Sequence, residues 1–122
     1  MCNIRQIRKS IKSRANKNGI EFTLSSWQMR LLFDGADKCP ICCCEFVDEE
    51  NHQSARSLDR LDSSIGYVYE NVNVTCRRCN SMKGLYDERG GAALLKCDPI
   101  LGQLILEWIA SMSRGVYAAD DR

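Results

Sequence analysis

Apolar positions recur along this chain at two different spacings. Ile4, Ile7, Ile11 and Ala15 stand three and four residues apart, which predicts an amphipathic helix over about 4–17. Asn18-Gly19 is a fitting stop for it. A second helix is expected from Ser25 or Ser26 to Asp34, ending at Gly35 and burying Trp27, Leu31 and Leu32. The spacing then changes to two. Ser57-Leu58-Asp59-Arg60-Leu61 alternates polar and apolar as a half-buried strand does, Asp62-Ser63-Ser64-Ile65-Gly66 reads as a turn, and Val72-Asn73-Val74-Thr75 as the returning strand. A short helix is predicted from Cys76 to about Leu85. Asp98-Pro99 supplies an N-cap and first helical residue for a last helix to about Met112, with Leu101, Leu104, Ile105, Trp108, Ile109 and Met112 facing inward.

The polar stretch 45–56 reads as loop and Gly115 to Arg122 as a frayed tail. The order helices, knuckle, hairpin, helix, helix is an α+β arrangement in one domain. Residues 1–37 form a helical N-terminal region, 38–86 the core, 87–114 a packing helix and 115–122 the tail.

Composition narrows this picture only a little. At 122 residues, 44% apolar and 27% charged, the chain has the make-up of an ordinary globular protein with one modest core. No run approaches the roughly 18 apolar residues of a membrane span, so no membrane partner is expected. Met1-Cys2-Asn3-Ile4-Arg5 lacks the apolar core of a secretory signal, and a cytoplasmic protein is expected. The net charge of +1 hides an asymmetry. Arg5, Arg8, Lys9, Lys12, Arg14 and Lys17 fall within the first 20 residues with no acid among them, whereas Glu45, Asp48, Glu49 and Glu50 cluster without a base. A basic arm of this kind suits a polyanion.

The eight cysteines change the picture more. In a reducing compartment they point to metal or catalysis rather than disulfides. Cys39-Pro40-Ile41-Cys42 and Cys76-Arg77-Arg78-Cys79 are two Cys-x-x-Cys pairs, the usual ligand set of a tetrahedral structural Zn²⁺. Either Cys43 or Cys44 could replace Cys42 by a small shift. A second four-sulfur site from Cys2, Cys43, Cys44 and Cys97 is conceivable, and the plainer expectation for Cys97 is a buried apolar side chain.

Between the pairs lie Ser57-Leu58-Asp59-Arg60-Leu61-Asp62, Gly66-Tyr67, Asn71-Val72 and, from the last cysteine, Asn80-Ser81-Met82-Lys83. This resembles the signature of the HNH (ββα-metal) endonucleases, in a phage and bacterial variant with a Ser-Leu-Asp-Arg strand. Arg14-Ala15-Asn16-Lys17 and Gly19-Ile20-Glu21-Phe22 extend the resemblance upstream, so that it covers roughly residues 12–85. It implies a zinc-stapled ββα-metal domain flanked by helices, in a bacterium or a phage-infected host. Asp59 and Asn80 would be the ligands of a catalytic Mg²⁺ or Mn²⁺, hard ions that prefer oxygen donors, and Asn71 would brace the loop. Asp62 reads as a turn former or supporting carboxylate, Tyr67 as core packing before catalysis, and Lys83 equally as a phosphate contact and as a solvated charge.

One position departs from the pattern. Most members of that family carry a general-base histidine after the strand aspartate, and here the residue is Arg60, as in a minority of the family. Arginine stays protonated and cannot accept a proton from water, but it can hold a phosphate through two N–H bonds. The base would then be metal-bound hydroxide, Tyr67 or His52, the single histidine of the chain. Ser57, at the family's other histidine position, is expected to orient the strand. The reaction implied is metal-dependent hydrolysis of DNA phosphodiesters, with the N-terminal basic residues, Arg77, Arg78 and Lys83 on the phosphates. The alternative is a catalytically inactive zinc-stapled nucleic-acid-binding module, and a third reading is a zinc-stapled protein-interaction domain. A homodimer could supply a longer recognition site.

Overall fold

The structure, a computed structural model, describes residues 3–49 and 51–120. It is α+β, with five α-helices and one antiparallel two-stranded sheet among those residues. Helix α1 (Ile4–Lys17) begins where the Asn3 side chain accepts the Gln6 N–H, and buries Ile4, Ile11 and Ala15. Gly19, at φ +69°, turns the chain out of it in a conformation that costs glycine little. Helix α2 (Ser26–Asp34) opens on a reciprocal capping box, the Ser25 hydroxyl accepting the Gln28 N–H and the Gln28 side chain accepting the Ser25 N–H.

The buried face of α2 differs from expectation. Met29 and Phe33, four residues apart, enter the core with Leu32 against them, while Trp27 is 67% exposed and Leu31 46% exposed. The cap fixes the start of the helix, and from that start Met29 and Phe33 share the stripe that meets α1 and the sheet.

Strands β1 (Arg56–Arg60) and β2 (Val72–Cys76) pair with Leu58 opposite Val74 and Asp59 opposite Asn73. Directly opposed residues share a face, so the hairpin has two chemically different sides. Leu58, Val72 and Val74 pack onto Ile4, Ile11, Leu24, Met29 and Phe33 of the first core. Ser57, Asp59, Asn73 and Thr75 face the other way, toward α3 (Arg77–Arg89). The predicted strands are thus displaced by one residue at most, and α3 runs four residues past its expected end at Leu85.

The stretch 87–114, expected to hold one packing helix starting at Asp98-Pro99, has a second helix before it, α4 (Gly91–Cys97). Helix α5 (Pro99–Asp120) starts as expected, with the Asp98 carboxylate accepting the Leu101 N–H, but its backbone continues beyond Met112 through most of the expected tail. Leu101 and Ile105 are buried in a second core with Leu94, Met82 and the cysteines, whereas Leu104 is 39% exposed. Cys97 is exposed rather than buried, since it ends α4 at the surface, and its Sγ touches the core at Met82 Sδ (3.9 Å). Cys2, Glu50 and residues 121–122 lie outside the described residues.

Candidate functional site

The two Cys-x-x-Cys pairs come together at the edge of the second core. Cys39, Cys42, Cys76 and Cys79 place their Sγ atoms within 4.8 Å of one another, and they are the one such cluster among the described residues. Four sulfurs at about 2.3 Å from one tetrahedral ion stand about 3.8 Å apart, and Cys42 Sγ lies 3.7 Å from Cys76 Sγ. The donor set and spacing therefore fit Zn²⁺. The first pair is bent into a knuckle by the Cys43 N–H bond to the Cys39 carbonyl (2.9 Å) and by Cys43 itself at φ +64°. The second pair ends β2 and opens α3, where the Cys79 N–H points at Cys76 Sγ from 3.4 Å.

Protons are shared unequally among these sulfurs. S–H donation from Cys76 and Cys79 holds Cys39 far below the ordinary thiol value. The same bonds with Cys39 raise both donors, Cys76 to about 12. Such a group titrates as a unit, favouring negative charge, the form a metal ligand needs, on the Cys39 sulfur while Cys76 and Cys79 keep their protons. Cys43 is exposed and apart from the cluster. Cys44 is half-buried beside it; burial and its contact with Cys42 raise its thiol.

The other chemistry lies further along the same hairpin and helix. Side chains two apart on a strand are separated by about 6.6 Å, and residues three apart on a helix rise about 4.5 Å, so strand and helix can bond in step. Asn80 donates its amide protons to Ser57 Oγ (2.7 Å) and the Leu58 carbonyl (3.2 Å). One turn on, Lys83 Nζ donates to both Asp59 oxygens (2.9 and 2.8 Å) and to the Arg60 carbonyl (2.7 Å). Asp59 is 4% and Lys83 5% exposed. A cleft of about 120 Å³ opens beside this pair, lined by Asp59, Arg60, Tyr67, Asn80, Lys83 and Asp87 among others. Burial raises the Asp59 carboxyl above its ordinary value; the bonds and charge of Lys83 pull it down, Asp87 pushes it up and Arg60 lowers it.

Lys83 is therefore neither a surface charge nor an outward phosphate contact. All three of its ammonium protons have acceptors. Asn71 is buried and clamps the turn: its Oδ1 accepts the Asp62 N–H, and its amide donates to the carbonyls of Asp62, Ile65 and Gly66. Arg60 braces the same turn from outside, donating to the carbonyls of Ser63 (2.8 Å) and Ile65 (3.3 Å) with its guanidinium 5.2 Å from the Tyr67 ring centre. Asp62 is a turn former, accepting from the Ser64 N–H and hydroxyl, which lower its carboxyl. Tyr67 packs against Phe22 and also walls the cleft.

Gly66 lets this wall close. A Cβ there would stand 2.5 Å from the Glu21 carbonyl oxygen, and the backbone bonds from Tyr67 to Glu21 and from Thr23 to Tyr67 depend on that approach. The segments Gly19–Phe22 and Gly66-Tyr67, both part of the sequence resemblance, are thus paired in space.

His52 does not join the cleft. It sits before β1, with Nδ1 accepting the Ser54 N–H at 3.0 Å and Nε2 4.0 Å from Glu49, and the strand carries the chain away from it toward Asp59. Arg77 and Arg78 lie on the first turn of α3, before Lys83, and line a separate, larger hollow of about 220 Å³. Arg77 donates to Asn51 Oδ1, and Arg78 pairs with Asp98. In α1, Arg5, Lys9, Lys12, Arg14 and Lys17 are exposed. Arg8 is turned in, donating to the Leu24 carbonyl and lying over the Phe22 ring. Asp87, which accepts the Ser63 hydroxyl at 2.7 Å, was missed from the sequence. Its signal was the spacing Asn80, Lys83, Asp87 on one helix face, hidden by ending the helix at Leu85.

The resemblance assigns a hard divalent ion to Asp59 and Asn80. The Asn80 side-chain oxygen accepts no hydrogen bond among the described residues, and Asn80 lines the cleft. Both Asp59 oxygens, however, are held by Lys83. In this closed arrangement the residues do not offer such an ion a free carboxylate.

No family model matches the chain, and no solved structure matches it. Over 72 residues, 59% of its length, the chain is 32% identical to an uncharacterized protein of Acanthamoeba polyphaga mimivirus, and it spans 12% of that protein's length. No helix among the described residues is long and apolar enough to cross a membrane.

Proposed function

We propose that this chain is a DNA endonuclease of the HNH kind, hydrolysing phosphodiester bonds in the cleft between β1 and α3 while zinc at the four cysteines staples the hairpin to the helix. One observation carries the reading. Asp59, Arg60, Asn71 and Asn80, picked out by the resemblance, assemble around one hairpin–helix unit with the cysteine cluster at its base. The zinc would be structural, since four sulfurs leave no position open for substrate. Arg60 lines the cleft and would hold a phosphate oxygen with the N–H groups that the turn does not use. Asn71 and Gly66 keep that arginine's support rigid, which matters because positioning errors near 1 Å are costly in catalysis. The exposed basic residues of α1 would grip phosphates without reading sequence. The Lys83 ammonium, seated on both Asp59 oxygens, stands where the resemblance would place a Mg²⁺ or Mn²⁺ ion.

The same pair favours a second reading, a catalytically inactive zinc-stapled nucleic-acid-binding module, in which Lys83 replaces an ion and Arg60 a base. Incubating supercoiled plasmid with the wild type, Asp59→Ala and Asn80→Ala, in Mg²⁺ or Mn²⁺, separates the two. The nuclease reading expects nicked or linear product from the wild type alone. Salt-sensitive binding without cleavage on several DNA substrates would establish the second reading instead.

A further inference from the structure

The most unusual feature of the cleft is that its carboxylate already has a cation. Lys83 Nζ sits among three oxygens, two from Asp59 and one from the main chain of Arg60, at 2.7–2.9 Å. One turn before it on α3 is Asn80, and four residues after it is Asp87, which also borders the cleft. Carboxylates, a backbone carbonyl and an amide carbonyl are the donors a hard divalent ion collects. An ammonium and a divalent ion cannot both occupy the cleft face of one carboxylate, since like charges so close in a poorly solvated site repel strongly. Lysine differs from a fixed ligand in having a flexible four-carbon stem, which can leave without moving the backbone.

We propose that the Lys83 ammonium is the resident cation of this cleft, and that a divalent ion reaches Asp59 only by displacing it. The inference rests on the proposed nuclease reading for the presence of such an ion, and on the pair's geometry for the competition. Lysine then holds Asp59 in place and keeps the buried carboxylate compensated until an ion arrives. The apparent affinity for the ion is lowered by the fraction of molecules in which Lys83 is seated.

Two measurements test this, neither of them a rate of cleavage. The first titrates Mn²⁺ into zinc-loaded wild type, Lys83→Met, Asp59→Asn and the double variant Asp59→Asn/Lys83→Met, counting bound ion by electron paramagnetic resonance. Lys83→Met should bind Mn²⁺ at least about tenfold more tightly than the wild type, and Asp59→Asn should abolish that binding in either background. The second uses the wild type alone, so that it decides the matter even if Lys83→Met does not fold. The ¹⁵N signal of the shielded Lys83 ammonium should disappear or shift as Mg²⁺ saturates the Asp59 site. Asp59-dependent binding that Lys83→Met leaves unchanged or weakens would overturn the competition while leaving the ion's assignment intact. An ammonium signal unmoved at saturation would do the same. If neither protein binds Mn²⁺ in an Asp59-dependent way, the assignment of the ion falls and the proposal with it.

Discussion

Replacing Lys83 by methionine is the sharpest single perturbation of the buried pair. Methionine keeps much of the apolar stem and removes the ammonium, and with it three hydrogen bonds. It leaves the Asp59 carboxylate, 4% exposed, without its compensating charge. Removing one partner of a buried pair costs about 3–5 kcal/mol, a large share of the stability of a domain this size. The effect should also depend on pH, with a definite sign. Burial raises Asp59 already in the wild type, and Lys83 is the largest influence opposing that rise; without it the carboxyl rises further. Between the two folded-state values the variant carries a proton that the wild type has lost. There its deficit grows with rising pH, by at most about 1.4 kcal/mol per unit. Below both values Asp59 is neutral in both proteins and the deficit is smallest. Urea unfolding at steps from about pH 4 to about pH 8 measures this, with Asp59→Asn/Lys83→Met as the control whose own stability should carry no Asp59-dependent slope. A Lys83→Met deficit below about 1 kcal/mol at neutral pH, or one that does not change with pH, would refute the claim that this is a buried, compensated pair.

Three further outcomes follow from the same contacts. Asn71→Ala removes four hydrogen bonds to the turn and should cost about 3 kcal/mol in urea unfolding; Asn71→Asp should be worse, because it sets a carboxylate against three carbonyls. Gly66→Ala puts a Cβ against the Glu21 backbone and should destabilise by about 1–3 kcal/mol, seen as a lower melting temperature together with shifted Tyr67 and Phe22 resonances. Chelating the metal, or replacing Cys79 by serine, should lower the metal content from one zinc per chain and abolish the cooperative thermal transition, as followed by calorimetry and metal analysis.

Much of the fold was legible because it depends on local pattern. The α1 stripe, the Ser25 cap, the alternation in β1 and β2 and the Asp98-Pro99 start each write one element into adjacent residues. The losses came where tertiary contacts decide. Trp27, Leu31 and Leu32 were the expected buried face of α2, but the side of a helix that is buried depends on what packs there, and Met29 and Phe33 meet the core. Helix α4 is only seven residues long, too short to show a helical period.

The candidate site divides in the same way. The cysteine pairs were readable from spacing, and Asp59, Asn71 and Asn80 were singled out by the resemblance. The roles of Lys83, Asp87, Ser57 and His52 were not, because each turns on a partner more than 20 residues away or, for His52, on the direction the chain takes. Arg8 and Lys83 show the hazard of reading basic residues as surface charge, since both are spent on internal contacts.

Cleavage of supercoiled plasmid by zinc-loaded Asp59→Asn, beside zinc-loaded wild type, tests most directly whether the cleft is where phosphodiesters are cut and the thiolates only its frame. The expected result is one zinc per chain in both proteins and cleavage by the wild type alone. Wild-type cleavage rates in a fully zinc-loaded Asp59→Asn protein would contradict it.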